Sequence, residues 1–164
     1  MIFDPRHTVA FTGHRTYRDE ADKLLPVTLR ALYDRGYRRF LSGMAVGFDL
    51  AAAEAVLRLG EERAGVELIC IVPFPEHAQR MEAAARARYD HIVQCASEVL
   101  FVSERYHPGC YALRNDCLVD NASYVVAYYD GSAGGTRYTV RRAHAARLPV
   151  ENLYADPQTT FPGF

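Results

Sequence analysis

Two glycine-containing turns of this sequence combine residue types that bind charged small molecules. The first is SGMAVGFD at 42–49, which follows a short strand-like run, and the second is GSAGGT at 131–136. Each turn opens a helix-like segment, where free backbone N–H groups and the helix dipole attract anions. Glycine lets the backbone approach a ligand closely. The residues of these turns that we expect to contact a ligand are Ser42, Gly43, Gly47, Asp49, Gly134, Gly135 and Thr136.

The second turn is the better phosphate site, because no acidic residue follows it in the first turn of its helix. The first turn carries Asp49, a poor neighbour for phosphate, and neither turn matches the dinucleotide-binding pattern GxGxxG. Three roles for Asp49 remain open: a helix cap, an acceptor for ribose hydroxyls, or a general acid or base. Because a helix dipole favours negative charge at this position, we expect Asp49 to be ionised at neutral pH.

The run Thr12-Gly13-His14-Arg15 ends another strand-like segment and adds polar groups. Arg15 can form a two-pronged contact with phosphate, or it can be simply solvated. His14 can transfer protons near neutral pH, or it can be a hydrogen-bonded structural residue. We include Gly13 among the expected ligand contacts because its turn ends a strand.

A third group of candidates follows two later strand-like segments. Arg114 and Asn115 stand early in a helix-like segment, and Asn115 either reads a base or ribose or satisfies backbone groups. Phe74 and Tyr106 either stack on a base or fill core space.

The elements that must position these residues alternate strictly between strand and helix. The hydrophobic periodicity predicts strands at 7–12, 39–42, 67–72, 98–102 and 124–129, with an edge strand at 149–153. Helices are predicted at 19–35, 48–62, 77–96 and 111–121, with a last helix ending at 147 and an irregular tail to 164. This order favours an α/β, Rossmann-like three-layer sandwich with a mostly parallel sheet of five to six strands, formed by one domain over residues 1–164. In such sheets ligands bind at the carboxyl ends of the strands, where the predicted site residues converge.

Composition limits the function classes. The 164 residues are 49% hydrophobic with a net charge of −1, which makes a general nucleic-acid surface unlikely and gives no membrane surface. No apolar run spans a bilayer, no signal peptide is visible, and we expect a cytoplasmic protein. None of the four cysteines forms a CxxC pair, so we predict no metal, no disulfide and no required cofactor.

Four stretches together resemble the YpsA-like branch of the SLOG superfamily: TGHR at 12–15, SGMAVGFDLAAAE at 42–54, RNDCLVDNAS at 114–123 and VVAYYDGSAGGTRYTVRRA at 125–143. The resemblance implies a Rossmann-like sheet that binds nucleotides or nucleotide-derived ligands related to NAD or ADP-ribose. Its relatives include the LOG phosphoribohydrolases and DprA. The phosphoribohydrolases carry a catalytic glutamate after their glycine turn, and Thr139 stands at that position here. The resemblance therefore transfers the phosphate site, and not that catalytic acid.

The function that we predict first is a sensor or regulator that binds a nucleotide-like ligand. In that reading Asp49 contacts ribose and the Gly134-Gly135-Thr136 turn contacts phosphate. The alternative is a nucleoside or nucleotide N-glycosidase that uses Asp49, with His14 as its second group. A third possibility is a protein-interaction module, with a homo-oligomer or a regulatory protein as the partner.

Overall fold

The structure is a computed structural model, and it describes residues 2–155. Its centre is a six-stranded sheet in the order β4-β3-β2-β1-β5-β6, in which every neighbouring pair is parallel. The strands are β1 (Thr8–Gly13), β2 (Arg39–Ser42), β3 (Glu67–Val72), β4 (Glu98–Phe101), β5 (Tyr124–Tyr128) and β6 (Val150–Asn152). The strand order reverses direction between β1 and β5, so a crevice is expected at their carboxyl ends.

Five helices cover the two faces of this sheet. They are α1 (Leu24–Asp34), α2 (Phe48–Glu62), α3 (Ala83–Cys95), α4 (Cys110–Asp120) and α5 (Gly135–Ala145). Successive residues of a strand point to opposite faces, and Phe11 and Ala10 accordingly belong to two separate hydrophobic cores. The core around Phe11 includes α1, α2 and α3, and the core around Ala10 includes α4 and α5. The predicted Rossmann-like three-layer sandwich is confirmed.

Two helices begin later than the hydrophobic periodicity predicts. Residues 18–23 form turns and bends, and α1 starts at Leu24 instead of residue 19. The reason lies in Tyr17, whose ring is buried and whose hydroxyl accepts from the Ala21 N–H and donates to the Asp22 carboxylate. These side-chain bonds satisfy the segment's polar groups in a non-helical form.

The predicted helix at 77–96 is divided in the structure. A 3₁₀ turn runs over Pro75–Arg80, and Met81 and Glu82 are extended before α3 begins at Ala83. Pro75 sits at the first position of the turn, where its missing N–H costs nothing. The division matters for function because this turn lies beside the carboxyl end of β3. The predicted irregular tail falls largely on residues 156–164, outside the described residues.

Candidate functional site

Two adjoining cavities open at the carboxyl ends of the strands and share Arg15, Ala45 and Tyr111 in their walls. The glycine cavity has a volume of about 330 Å³ and lies at the reversal of strand order beside β1. The aromatic cavity has a volume of about 420 Å³ and lies beside the 3₁₀ turn. Because their walls share these residues, the two cavities adjoin, and we refer to them together as the cleft.

Most of the site residues predicted from sequence line the glycine cavity. They come from the end of β1, the first turn of α2, the first part of α4 and the start of α5. These residues are Gly13, His14, Arg15, Asp49, Arg114, Asn115, Gly135 and Thr136. The structure therefore brings together side chains that lie more than 100 residues apart in the sequence.

The start of α5 presents unused backbone donors to this cavity. No side chain caps the helix, and its first turn contains no acidic residue. The N–H groups of Gly135, Thr136 and Arg137 have no acceptor among the described residues, whereas that of Tyr138 bonds to Gly134. Gly134, the residue before the helix, has φ of +143°, a conformation that glycine adopts most easily. An anion would satisfy these N–H groups and interact favourably with the helix dipole.

Thr139, which stands where the phosphoribohydrolases carry their glutamate, points into protein. Its side chain is buried, and its hydroxyl donates to the Gly135 carbonyl at 3.0 Å. This position holds together the first turn of α5 and supplies no acid to the cavity.

Asp49 is buried in the wall of the glycine cavity and is only partly satisfied. Its Oδ2 accepts from the Ala45 N–H at 3.2 Å, while Oδ1 is buried without a partner among residues 2–155. Burial raises the pKa of Asp49 to about 6, against the opposing effects of Arg114, the Ala45 hydrogen bond and Arg15. The helix dipole argues for the opposite direction, and desolvation outweighs it. At pH 7 the carboxylate form still predominates, but protonation lies close to neutral pH.

Arg114 is a buried cation that braces the first glycine turn. Its Nη1 donates to the Gly43 carbonyl, and its Nε donates to Asn115 Oδ1 at 2.7 Å. A Cβ atom at Gly43 would lie 2.9 Å from the Arg114 side chain, so glycine is required for this contact. Burial lowers the pKa of Arg114, while the charge of Asp49 acts to raise it. Arg114 thus places a positive charge in the cavity wall rather than in solvent.

The turn at 42–49 contributes Ala45 and Asp49 to the cavity walls, while its glycines and Ser42 pack within the protein. Gly47 has φ of +86°, and a Cβ atom there would lie 2.5 Å from the His14 carbonyl oxygen. The hydroxyl of Ser42 donates to the Asp49 carbonyl at 2.9 Å and accepts from the Met44 N–H. Among the residues predicted from sequence, Ser42, Gly43, Gly47 and Gly134 do not line either cavity. Three of them hold the turn, and Gly134 precedes the α5 donors.

His14 connects the ends of β1 and β5. Its Nε2 lies 2.9 Å from the backbone nitrogen of Asp130, which donates to it, and 2.8 Å from the Asp130 carboxylate. His14 lies in the cavity wall, and its ring is already engaged by Asp130. This arrangement suits the structural role better than proton transfer.

The aromatic cavity combines two residues predicted from sequence, Phe74 and Tyr106, with two that were not, His77 and Tyr111. Phe74 and Tyr106, the two predicted stacking residues, lie 5.7 Å apart between ring centres at 76°. Tyr111 and His77 complete the cluster, with ring centres 6.2 Å and 5.9 Å from that of Phe74. Arg15 lies over the Tyr111 ring at 5.7 Å. For His77 and Tyr111, the sequence signal that could have indicated the site was their position, after β3 and at the start of α4.

Comparison with known proteins places this architecture in a family. The family model described as the YspA SLOG family matches residues 10–154. The chain belongs to the YspA SLOG family. The matched region includes every site residue discussed above, from Gly13 to Thr139.

Relatives of this SLOG-family chain occur in bacilli. It is 30% identical over 152 residues to the uncharacterized SPbeta prophage-derived protein YoqJ of Bacillus subtilis, covering 85% of this chain and 89% of YoqJ. It is also 30% identical over 108 residues to a UPF0398 protein of Halalkalibacterium halodurans, covering 65% of this chain and 57% of that protein.

Solved structures share the fold. The DNA processing protein DprA of Streptococcus pneumoniae superposes with a TM-score of 0.65 at 20% identity, over 90% of this SLOG-family chain and 49% of DprA. DprA of Helicobacter pylori, described in a structure of its single-stranded DNA binding mode, has a TM-score of 0.63 at 16% identity and covers 90% of this chain and 67% of that one. TM1055 has a TM-score of 0.57 at 18% identity, over 92% of this chain and 86% of TM1055.

The described part of this SLOG-family chain has neither a membrane-spanning helix nor a cluster of metal-binding side chains. Within residues 2–155, no helix is long and apolar enough to cross a membrane. The same residues contain no group of three or more His, Cys, Asp or Glu side chains that could hold a metal ion.

Proposed function

We propose that this SLOG-family protein binds a nucleotide or a nucleotide-derived ligand of the ADP-ribose type and acts as a sensor or regulator. One observation carries the proposal: a single cleft has unused helix N–H donors at one end and an aromatic cluster at the other. A nucleotide has the matching polarity, since its phosphate is anionic and its base has flat apolar faces.

The phosphate belongs in the glycine cavity. The N–H groups of Gly135 and Thr136 point to an open helix terminus, and the guanidinium of Arg15 is exposed at the junction of the two cavities. Arg114 adds a second positive charge in the wall. An anion held by backbone donors and a guanidinium gains charge-assisted hydrogen bonds.

The base belongs in the aromatic cavity. Phe74, Tyr106 and Tyr111 present their rings at steep angles to one another, and Tyr106 is 59% exposed. Base-aromatic stacking contributes about 1–3 kcal/mol per base, and it tolerates any base because every base has a π-face. A ligand stacked here would cover the exposed ring of Tyr106.

The sugar would then lie between these two ends, near Asp49. The carboxylate oxygen Oδ1 lacks a partner, and a buried unsatisfied polar atom costs free energy in the unliganded protein. In our proposal a modest shift of the turn on binding lets a ribose hydroxyl donate to Asp49.

One observation favours N-glycosidase activity as the second candidate function. A buried carboxyl group with a pKa near 6 is able to exchange a proton near neutral pH, as catalytic acids and bases do. Against this candidate, Thr139 supplies no carboxylate, and His14 is engaged by Asp130. We therefore place ligand binding first.

The two candidates are separated by measuring thermal stability and product together. The purified chain is incubated with AMP, ADP, ATP, NAD, ADP-ribose and ribose 5-phosphate, and the mixtures are then analysed by chromatography for free base. If the protein binds the ligand without cleaving it, the melting temperature should rise and the ligand should be recovered intact. Release of base from a stabilising nucleotide supports the glycosidase, and the absence of stabilisation by every compound contradicts both.

A further inference from the structure

His77, in the wall of the aromatic cavity, has one ring nitrogen whose protonation is fixed by its surroundings. Its Nε2 lies 3.1 Å from the carbonyl oxygen of Met44. A carbonyl oxygen only accepts hydrogen bonds, so Nε2 must carry the hydrogen. Met44 itself has φ of +62°, an uncommon conformation for a residue with a side chain, and its N–H donates to the Ser42 hydroxyl. The carbonyl that orients His77 is therefore held by the first glycine turn.

The other ring nitrogen, Nδ1, is left as a bare acceptor. Burial, followed by the nearby charge of Arg114, lowers the pKa of His77 to about 4, so the ring is neutral at physiological pH. With the hydrogen on Nε2, a neutral ring has a lone pair on Nδ1. Nδ1 has no hydrogen-bond partner among the described residues, and His77 is only half-buried and lines the aromatic cavity, so this acceptor is available to a ligand there.

The surroundings of the ring determine which ligand groups suit this acceptor. Phe74, Tyr111 and Tyr89 lie around the imidazole with ring centres at 5.9, 6.2 and 6.3 Å. A flat ligand ring among these groups would meet Nδ1 at its edge. A lone pair repels phosphate and carbonyl oxygens, and it forms a hydrogen bond only with an N–H or O–H donor.

We infer that His77 is a specificity-determining residue, which through Nδ1 selects a nucleobase with an amino group on its edge, as in adenine. The inference rests on the proposed function, because it assigns the base of the nucleotide proposed for this cleft. It gives the aromatic cavity a chemical preference that stacking alone does not provide. Discrimination arises because an analogue without the donor leaves the accessible lone pair unpaired or facing water.

The test compares two ligands that differ only in the amino group: AMP and purine riboside 5′-monophosphate. We expect the unmodified protein to bind AMP about five- to tenfold more tightly, as one neutral hydrogen bond contributes. His77→Gln places an amide nitrogen near the position of Nε2, which keeps a donor for Met44 and moves the acceptor, now the amide oxygen, away from the position of Nδ1. This variant should bind both ligands with equal affinity. His77→Asn places its amide oxygen near the position of Nδ1 and should retain the preference for AMP.

The outcomes also separate this inference from the proposed function. Equal binding of the two nucleotides by the unmodified protein, or an AMP preference that persists in a folded His77→Gln variant, would overturn the inference and leave nucleotide binding intact. Ribose 5-phosphate that binds as tightly as AMP would show that the base lies outside the aromatic cavity, which also overturns it. If none of the three compounds binds, the inference is wrong, and the proposed function is then decided by ADP, ATP, NAD and ADP-ribose in the thermal-stability panel. Circular dichroism melts of each variant establish that the compared proteins are folded.

Discussion

The pKa values of two ionisable side chains of the cleft, the buried Asp49 and the half-buried His77, are shifted in opposite directions by the same physical cause. Burial raises the pKa of Asp49 to about 6 and lowers that of His77 to about 4, because desolvation penalises whichever form is charged. Arg114 is the second influence on both groups, and it lowers both values. The result near neutral pH is a neutral histidine in the wall of the aromatic cavity and, in the wall of the glycine cavity, a carboxyl group that lies within reach of protonation.

The Asp49 carboxylate should reduce the stability of the protein at neutral pH. Its pKa in the folded state is above the ordinary aspartate value of 3.8, so its stabilising contribution is present below pH 4 and is lost as the pH rises through about 6. Asp49→Asn removes the buried charge, and we expect it to be more stable than the unmodified protein by roughly 1–3 kcal/mol at pH 7.5. Urea unfolding at several pH values measures the difference, which should shrink towards pH 4. A variant that is less stable at pH 7.5, or a difference that does not depend on pH, would contradict this prediction.

At the residue scale, the sequence predicted which residues reach the cavity better than it predicted how deeply they are buried. Asp49, Arg114 and Asn115 were singled out because of where they stand relative to strand ends, and all three line the glycine cavity. The sequence did not reveal that Arg114 is buried against Gly43, since burial depends on packing from α4 across the sheet edge. For the same reason the dipole argument, which predicts an ionised Asp49 at neutral pH, did not reveal that burial raises its pKa to about 6.

At the element scale the two glycine turns have different tasks. The turn at 42–49 is closed, because Gly47 contacts the backbone of His14 and Ser42 bonds within the turn. The turn before α5 is open, and its N–H groups have no partner among the described residues. A phosphate thus meets N–H donors without a neighbouring acid at α5, whereas at α2 the Phe48 N–H already bonds to His14 and Asp49 lies in the first turn.

Filling the open turn should remove anion binding and leave the fold intact. A Cβ atom at Gly135 would meet only Asn115 Nδ2, at 3.7 Å, which is ordinary contact distance. Gly135→Val therefore fits the protein while its methyl groups occupy the space in front of the α5 donors. We expect at least a hundredfold loss of affinity for the nucleotide that stabilises the unmodified chain most, measured by calorimetric titration.

Gly60→Val provides the matched control, since Gly60 lies in α2 and its Cβ atom would approach only Val66, at 3.9 Å. It should bind the same nucleotide within twofold of the unmodified protein. Undiminished binding by a folded Gly135→Val variant would show that the phosphate lies elsewhere.

The strands and helices were largely predictable from the sequence, but the first residues of two helices were not. Alternating apolar strands and amphipathic helices identified all six strands and the helices of the described residues to within a few positions. The exceptions, α1 and α3, begin late because side chains and a proline stabilise turns that the hydrophobic period alone does not detect. The 3₁₀ turn is the more consequential exception, because it brings His77 into the aromatic cluster.

At the scale of the whole molecule, the strand order determines where the site lies. All six strands are parallel, so the loops that follow them gather on one edge, and the reversal beside β1 separates the loops enough to leave a crevice. The sheet topology could be anticipated as a class, because sequential βαβ units favour it. The division of the cleft into two cavities could not, since it depends on how the 3₁₀ turn and α4 pack beside each other.

The charge of the whole chain bears on the choice between a single nucleotide and a nucleic-acid strand as the ligand. The structural similarity to DprA makes single-stranded DNA the alternative to test, since the Helicobacter pylori structure describes such binding for that protein. This chain has 19 basic and 20 acidic residues, and of the arginines in the cleft walls, Arg114 is buried. Strands bind through several phosphates at once, which requires a continuous basic surface.

We therefore predict that oligo(dA) of twenty nucleotides binds no more tightly than AMP. Fluorescence anisotropy between 50 and 200 mM salt provides the measurement, with Helicobacter pylori DprA as the positive control. If a single terminal phosphate enters the glycine cavity, the logarithm of the binding constant should fall against the logarithm of salt concentration with a slope of about −1. Affinity that grows with strand length, together with a slope of about −3 or steeper, would identify a polymer track and make a nucleic-acid strand the better ligand. A shallow slope with no dependence on length would instead agree with a cleft that holds one nucleotide unit, with its phosphate at the α5 donors and the Arg15 guanidinium.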